Sequence, residues 1–273
     1  MDKLKQIRHM ALDMDGTLYL GSRLFPWTQG FLDTLRRRGI GYTFLTNNPS
    51  RSVADYLAKL AGMGIQATED TVLTTSLSAI EWLRQELPWA KRLFLLGTPS
   101  MVSQFEKAGF EAAADDPADR PDALVVSFDM TLTYDRLCRA AWWASQGIPY
   151  IATNPDRVCP TEKETVLVDC GSIQQCIEAA TGRRPDKVLG KPDPTMLQEI
   201  MQRHGLQPEQ MAMVGDRVYT DMAMARNAGA TGILVLSGET TRETLQACPP
   251  SQAPDYVFEN VGSLADALDF PSV

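Results

Sequence analysis

Features typical of membrane, secreted and nucleic-acid-binding proteins are scarce in this sequence. No apolar run in the 273 residues approaches the length of about 18 that a transmembrane helix requires, and the first residues lack the apolar core of a signal peptide. With 26 basic and 34 acidic residues, the chain has a net charge of −8, which disfavours nucleic acid and anionic membranes. The cysteines number five and show no C-x-x-C spacing, which predicts reduced thiols in a cytoplasmic protein. We therefore expect neither a membrane nor a nucleic acid as a partner.

Apolar sequence is present in ordinary amount and is arranged in alternating strands and helices. Hydrophobic residues make up 44% of the chain and charged residues 22%, as in folded globular proteins. Short apolar runs predict strands at 8–12, 40–45, 92–96, 123–128, 150–152, 188–189, 212–214, 232–236 and 256–258. Helical segments separate most of these runs, including 100–108, 135–146 and 173–180. This alternation predicts an α/β fold with a parallel sheet covered by helices on both faces.

Asp13 and Asp15 follow the first predicted strand, within the run DMDGTL. Residues i and i+2 of an extended chain point to the same side, so both carboxylates project from the carboxyl end of the strand. Ligands bind at that end in open α/β sheets. Neighbouring carboxylates repel and need a cation or a shared proton, and Mg²⁺ prefers carboxylate and phosphate oxygens. The pair therefore predicts a magnesium site, with an aspartate-rich turn as the alternative.

Other polar side chains follow later predicted strands in the same way. Thr46 and Asn47 end the second strand and offer a hydroxyl, an amide and backbone N–H groups to an anion. Lys191 follows a short strand and offers a positive charge to a phosphate. Asp216 and Asp221 follow the strand at 212–214 and add two carboxylates. A turn, a solvated lysine and helix caps are the structural alternatives, but the shared position after strands favours one site.

The order of these motifs resembles the haloacid dehalogenase superfamily, subfamily IIA. The resemblance rests on D-x-D-G-T-L, a strand ending in Thr-Asn, a Gly-Lys-Pro and a Gly-Asp-x-x-x-Thr-Asp, and it covers nearly the whole chain. The group it indicates includes NagD, p-nitrophenyl phosphatase and phosphoglycolate phosphatase. The resemblance implies a Rossmann-like parallel-sheet core with an inserted α/β cap domain of the C2 type. We expect the core to comprise residues 1–76 and 185–273 and the cap residues 77–184.

The resemblance also implies roles for the aspartates. Asp13 would be the nucleophile that forms an aspartyl-phosphate, and Asp15 would be the general acid and base. Mg²⁺ would be held by Asp13, the backbone carbonyl of Asp15 and Asp216. Asp221 would lie beside these ligands rather than bind the metal directly.

Three further residues are implied to bind the phosphoryl group. These are Thr46, the backbone of Asn47 and Lys191, and Asp221 is an additional candidate to hold Lys191 in place. Their part would be positioning and charge neutralisation, on which phosphoryl transfer mainly depends.

The candidates for substrate recognition lie in the predicted cap, because the core motifs all address the phosphoryl group. They are Asn154, Asp156, Asp169, Gly171 and Ser172. Asp169 stands in the run VDCGS, where many relatives carry Pro-Gly-x-Gly-Ser, so we expect it to select leaving groups by their charge. For Ser172 the alternative is an N-cap of a helix that begins at Ile173.

The expected function is a Mg²⁺-dependent phosphatase that hydrolyses a small phosphorylated metabolite through an aspartyl-phosphate. Two alternatives remain open at this stage: a phosphotransferase on the same core, and a catalytically idle protein that binds a phosphorylated metabolite. A dehalogenase is disfavoured because it needs neither the second aspartate nor a metal. The tryptophans at 142 and 143 are expected in the core or in a homodimer contact through the cap.

Overall fold

The computed structural model describes residues 3–159 and 164–269. The chain divides into two compact units. Unit 1 comprises Met1–Thr46, Leu57–Leu73 and Lys191–Val273, and unit 2 comprises Asn47–Tyr56 and Thr74–Gly190. The interpretation of the two as a core at 1–76 and 185–273 and a cap at 77–184 stays a prediction.

The described residues form strands and helices that alternate along most of the chain. The strands are β1 His9–Asp13, β2 Tyr19–Leu20, β3 Arg23–Leu24, β4 Gly41–Thr46, β5 Val72–Thr74, β6 Arg92–Leu96, β7 Glu111–Ala112, β8 Ala123–Val126, β9 Tyr150–Ala152, β10 Val158–Cys159, β11 Leu167–Val168, β12 Lys187–Val188, β13 Met211–Gly215, β14 Thr231–Val235 and β15 Tyr256–Phe258. The helices are α1 Thr28–Arg37, α2 Val53–Gly62, α3 Thr75–Glu86, α4 Pro99–Lys107, α5 Tyr134–Ser145, α6 Cys170–Thr181, α7 Thr195–His204, α8 Ala223–Ala228, α9 Arg242–Gln246 and α10 Val261–Asp269. A π-helical turn, Val218–Met222, precedes α8, and single 3₁₀ turns lie at Lys3–Gln6, Glu69–Thr71, Pro208–Gln210 and Pro250–Gln252.

The larger sheet has six strands in the order β15-β14-β13-β1-β4-β5. β1 pairs in parallel with both β4 and β13, and β13 continues in parallel to β14 and β15. Every residue of β1, β13 and β14 is buried, as expected for parallel strands covered on both faces. The chain runs outward from β1 to β4 on one side and to β13 on the other, so the strand order reverses beside β1. Ligands bind at the carboxyl end of such a switch point.

The sheet of unit 2 has five strands in the order β12-β9-β8-β6-β7. Alternate residues of β6 enter two separate apolar clusters, since side chains of a strand alternate between its faces. Leu93 and Leu95 pack with Phe105 of α4, whereas Phe94 and Leu96 pack with Trp143 of α5. Unit 2 therefore has helices on both faces of its own parallel sheet. The predicted α/β class is confirmed.

The start of α6 contradicts the alternative in which Ser172 caps a helix that begins at Ile173. The helix begins at Cys170, and its N-cap is Asp169, whose carboxylate accepts a hydrogen bond from the Cys170 N–H. The Ser172 hydroxyl instead donates to the backbone carbonyl of Arg157 at 2.7 Å. Aspartate and serine are both preferred caps, so composition alone did not distinguish the two positions.

The described residues contain neither a membrane-spanning helix nor a disulfide bond. Across 3–159 and 164–269, no helix has the length and apolar character that crossing a membrane requires. The cysteines in these ranges form no disulfide bond with each other.

Candidate active site

The carboxyl end of β1 brings Asp13 together with a buried lysine and a second carboxylate. Lys191 Nζ donates to Asp13 Oδ1 and lies 2.7 Å from Asp221 Oδ1. All three side chains are almost fully buried. Burial lowers the pKa of Lys191, but the charges of Asp13 and Asp221 outweigh it and raise that pKa above its ordinary value. Lys191 is therefore a permanent cation between two carboxylates.

Asp216 follows β13 and occupies a space that two glycines leave open. Gly16 has a φ of +87°, and a Cβ there would lie 2.5 Å from Asp216 Oδ2. A Cβ on Gly238 would collide with the same carboxylate. The backbone N–H of Glu239 donates to Asp216 Oδ2 at 2.7 Å. Gly16 is thus required both by its positive φ and by the space that the Asp216 carboxylate occupies.

Asp13, Asp216 and Asp221 form a cluster that suits a hard divalent cation. Each offers a carboxylate oxygen, and these oxygens lie within 4.8 Å of one another. Burial and the neighbouring carboxylates raise the pKa of Asp216 to about 7, and burial raises that of Asp221 to about 6, although Lys191 opposes the rise. Lys191 contacts two of the three carboxylates, and Arg217, whose charge also acts on Asp216, is paired with Glu239. Negative charge therefore exceeds positive charge at the cluster, and oxygen donors are what Mg²⁺ and Ca²⁺ prefer. The donor set therefore fits a bound Mg²⁺.

Asp15 is more exposed than the other aspartates of the site. Its pKa is raised, chiefly by loss of hydration, while the Gly21 N–H and the charge of Lys59 act in the opposite direction. The Gly21 N–H lies 3.5 Å from Asp15 Oδ1, a long contact. A carboxyl group with a raised pKa is easier to keep protonated, which suits a proton donor.

Thr46 and Asn47 are adjacent in the sequence but are assigned to different units. Thr46 is the last residue of β4, one position beyond Leu45, the partner of Asp13 in the sheet. It lies in unit 1, and Asn47 lies in unit 2. There the side chain of Asn47 donates to Asp156 Oδ2 at 3.0 Å, and Asn154 Nδ2 donates to the Asn47 carbonyl at 3.1 Å. Three of the predicted site residues thus contact one another within unit 2.

The remaining candidates, Asp169, Gly171 and Ser172, lie at the N-terminus of α6. Asp169 is only 2% exposed, and burial raises its pKa to about 7. The Gly171 N–H donates to the Asp156 carbonyl at 2.7 Å, and a Cβ on Gly171 would clash with the adjacent loop backbone. These contacts show structural roles for the three residues. Their part in substrate recognition stays a prediction.

Two contributors to the site are missing from the expectations above. Thr17 Oγ1 donates to Asp13 Oδ2 at 3.2 Å, and Ser237 Oγ donates to the Gly16 carbonyl at 2.8 Å. A signal for each existed: Thr17 belongs to the DMDGTL run, and the loop at 237–240 follows β14 at the ligand-binding edge of the sheet. The loop reaches the site by one side chain and one backbone group, the Ser237 hydroxyl on Gly16 and the Glu239 N–H on Asp216, and neither belongs to a motif that the sequence singles out.

Comparisons with known proteins agree with this geometry. Residues 10–111 match the family described as haloacid dehalogenase-like hydrolase, and residues 188–264 match the one described as HAD-hydrolase-like. The crystal structure of 4-nitrophenylphosphatase from Thermotoga maritima has a TM-score of 0.92, with 42% identity over 98% of this chain and 100% of that one. A glycerol phosphate phosphatase from Mycobacterium tuberculosis, crystallised with magnesium, has a TM-score of 0.87, with 30% identity over 96% of this chain and 78% of that one. The acid sugar phosphatase of Staphylococcus aureus is 29% identical over 97% of this chain and 100% of its own length.

The chain therefore belongs to the haloacid dehalogenase-like hydrolases, in the NagD-like group of subfamily IIA. The resemblance drawn from its motifs is confirmed. Its named relatives are phosphatases, and the expected enzyme class, a phosphatase of this family, is confirmed with it.

Proposed function

We propose that this protein hydrolyses small phosphomonoesters through an aspartyl-phosphate on Asp13, with Mg²⁺ as cofactor. The observation that carries the proposal is the buried cluster at the carboxyl end of β1, where Asp13 contacts Lys191 and shares a cation-sized space with Asp216 and Asp221. A small phosphorylated metabolite is the proposed substrate class. Acid sugar phosphatase and glycerol phosphate phosphatase are the names of relatives that support it.

In the first half-reaction, a carboxylate oxygen of Asp13 attacks phosphorus as the bond from phosphorus to the leaving oxygen breaks. Asp15 gives its proton to that oxygen, so the alcohol leaves uncharged. Thr17, which donates to Asp13, helps to hold the nucleophile in one orientation. Lys191, Thr46 and the backbone N–H of Asn47 neutralise the transferring phosphoryl group.

In the second half-reaction, water attacks the phosphorus of the aspartyl-phosphate. Asp15, now a carboxylate, takes the proton of that water, and the bond between phosphorus and the Asp13 oxygen breaks to release phosphate. The raised pKa of Asp15 serves both steps, because one group must first donate and then accept.

Asp13, Asp216 and the backbone carbonyl of Asp15 would hold the Mg²⁺, with Asp221 beside them. When bound, the cation neutralises charge on the phosphoryl oxygens and on the carboxylates around it. Lys191, fixed by Asp13 and Asp221, supplies the complementary positive charge from the protein itself.

The test is hydrolysis of p-nitrophenyl phosphate by metal-stripped protein before and after addition of Mg²⁺, followed by a panel of phosphorylated sugars and polyols. We expect activity only with the metal. Acid-quenched enzyme should carry a phosphoryl group that hydroxylamine releases, and the Asp13→Asn variant should not. Absence of turnover on every ester would contradict the proposal. Preferential transfer to an added alcohol instead of water would favour the alternative, a phosphotransferase.

A further inference from the structure

The loop that begins at Asn47 is held by side chains that are distant in the sequence. Its side-chain amide donates to Asp156 Oδ2 at 3.0 Å, across a separation of 109 residues. Two more side chains, Asn154 Nδ2 and Thr75 Oγ1, donate to the Asn47 carbonyl, each at 3.1 Å. Both the backbone and the side chain of Asn47 are thus fixed from within unit 2.

The side chains that hold Asn47 are themselves fixed. The Asp156 N–H donates to Asn154 Oδ1 at 2.9 Å, and Gln174 Nε2 donates to the Asn154 carbonyl at 2.7 Å. Asn154 is fully buried, and the N-terminus of α6 is joined to this loop because the Gly171 N–H donates to the Asp156 carbonyl. Groups with this many bonds lose little entropy on binding a ligand, since they are already ordered.

The other end of the Asn47 amide is confined by Gly190. This glycine has a φ of +75°, and a Cβ on it would lie 2.9 Å from Asn47 Oδ1. A Cβ there would crowd the Asn47 amide oxygen as well as Thr75 Cγ2. The side chain of Asn47 is therefore located by a hydrogen bond on its nitrogen and by close packing on its oxygen.

We propose that Asn154 and Asp156 are positioning residues that fix Asn47 for phosphate binding. By holding the carbonyl and the side chain of Asn47, they restrict its backbone to one conformation and present its N–H in one orientation. The inference rests on the proposed function, in which that N–H binds the phosphoryl group. It assigns to Asn154 and Asp156 a role that acts through Asn47 and replaces the expected recognition of the leaving group.

A double-mutant cycle between Asn47 and Asp156 tests the assignment. Asp156→Ala, Asn47→Ala and the double variant are compared with the parent by the inhibition constant of inorganic phosphate and by calorimetric phosphate binding with Mg²⁺ present. Asp156→Ala should weaken phosphate binding about fivefold, the effect of one hydrogen bond of about 1 kcal/mol. In the Asn47→Ala background the same change should have no further effect. An equal effect in both backgrounds would overturn the proposal.

The conservative variant Asp156→Asn separates positioning from charge recognition. Its amide oxygen still accepts from Asn47, so phosphate affinity should stay within about twofold of the parent. For Asp156→Ala, KM should rise by one common factor for esters with anionic, neutral and cationic leaving groups. A change in their ranking in either variant would mean that Asp156 contacts the leaving group, and the proposal would fail.

Asp122→Ala is the matched control. Asp122 also stabilises a loop of unit 2, since its Oδ2 accepts from the backbone N–H groups of Lys91 and Arg92 at 2.7 and 2.9 Å. This variant should lose stability without any change in phosphate affinity. If its phosphate affinity fell as much as that of Asp156→Ala, the effect of Asp156→Ala would reflect general destabilisation, and the assignment would be overturned. If the parent hydrolyses esters but the cycle is additive, the inference alone fails. If the parent neither binds phosphate nor hydrolyses esters, both proposals fall.

Discussion

Lys191 determines the charge balance at the carboxyl end of β1. It is 5% exposed and lies against Asp13 and Asp221, so its removal would leave buried carboxylates without a partner. Breaking a buried ion pair on one side costs about 3–5 kcal/mol. We therefore expect Lys191→Met to lower the unfolding temperature in chelator, and Mg²⁺ to restore stability to this variant by more than it adds to the parent. Thermal unfolding followed by circular dichroism measures both effects.

Lys107→Met provides the comparison for Lys191→Met. Lys107 is exposed in the last turn of α4, so losing its charge should change stability by less than about 0.5 kcal/mol with or without the metal. If Lys191→Met in chelator matched this control, the buried ion pairs would contribute nothing to the stability of the fold.

Asp13 is the residue on which covalent catalysis depends. Asparagine at this position keeps the shape and a hydrogen-bond acceptor for Lys191, but it does not form an acyl phosphate. We expect Asp13→Asn to lose at least about three decades of turnover on p-nitrophenyl phosphate. Asp33→Asn, a change at an exposed helix residue, should keep full activity. Retention of a tenth of the activity by Asp13→Asn would contradict the assignment of the nucleophile.

The buried N-cap of α6 predicts how the stability of the protein depends on pH. Asp169 caps α6, and burial raises its pKa from 3.8 to about 7. Between these values the folded protein holds a proton that the unfolded chain has released, so the free energy of unfolding falls as the pH rises from 4 to 7. Asp169→Asn lacks this proton, and its stability relative to the parent should increase over that range by on the order of 3 kcal/mol.

Urea unfolding at several pH values measures the Asp169 effect. The exposed variant Asp33→Asn is the control for the loss of one negative charge. The difference in the free energy of unfolding between this variant and the parent should change much less with pH. A constant difference between Asp169→Asn and the parent across pH 4 to 7 would show that the Asp169 carboxyl is ionised in the folded protein.

The strands of the two sheets were largely predictable, since their cores are continuous apolar runs. The polar residues that end β1, β4 and β13 were equally visible, because a short motif carries each of them. The beginning of α6 was not predictable in this way, since Asp169 and Ser172 are both acceptable caps. In the structure Asp169 caps the helix and Ser172 donates to the Arg157 carbonyl, a contact 15 residues away in the sequence. Among the described residues six strands, β2, β3, β7, β10, β11 and β12, have only two residues each, too few to show a period, and of these only β12 overlaps a predicted apolar run.

The contacts of Asn47 could not be predicted from the sequence, for a different reason. Asn154 and Asp156 contact it across separations of 107 and 109 residues, through amide and carboxylate groups that occur in any turn. Nothing local to 154–156 indicates which chain segment they bind. The sequence identified these residues as functional candidates, and only the packing of unit 2 shows what they touch.

At the scale of the whole chain, all carboxylates predicted to surround Mg²⁺ belong to unit 1. A ligand that binds only the folded state raises stability by RT ln(1 + [L]/Kd), about 2.7 kcal/mol at one hundred times Kd. For a chain of this size we expect the unfolding temperature to rise by about 5 °C. Asp216→Asn should remove most of this rise, whereas Asp33→Asn should keep it. Calorimetric scans across a magnesium titration would show whether the cation binds at the cluster.

Calcium distinguishes binding of the cation from its use in catalysis. Ca²⁺ accepts more oxygen ligands at 2.3–2.6 Å, roughly 0.4 Å longer than the bonds to Mg²⁺, and its geometry is less strict. Asp13 and Asp216 would still bind it, with Asp221 beside them, so Ca²⁺ should raise the unfolding temperature as Mg²⁺ does. Phosphoryl transfer depends on placing the Asp13 oxygen in line with the leaving group, and a displacement of this size is costly. We therefore expect Ca²⁺ to inhibit competitively with Mg²⁺, and full turnover with Ca²⁺ alone would show that the cation acts here only as a structural counter-ion.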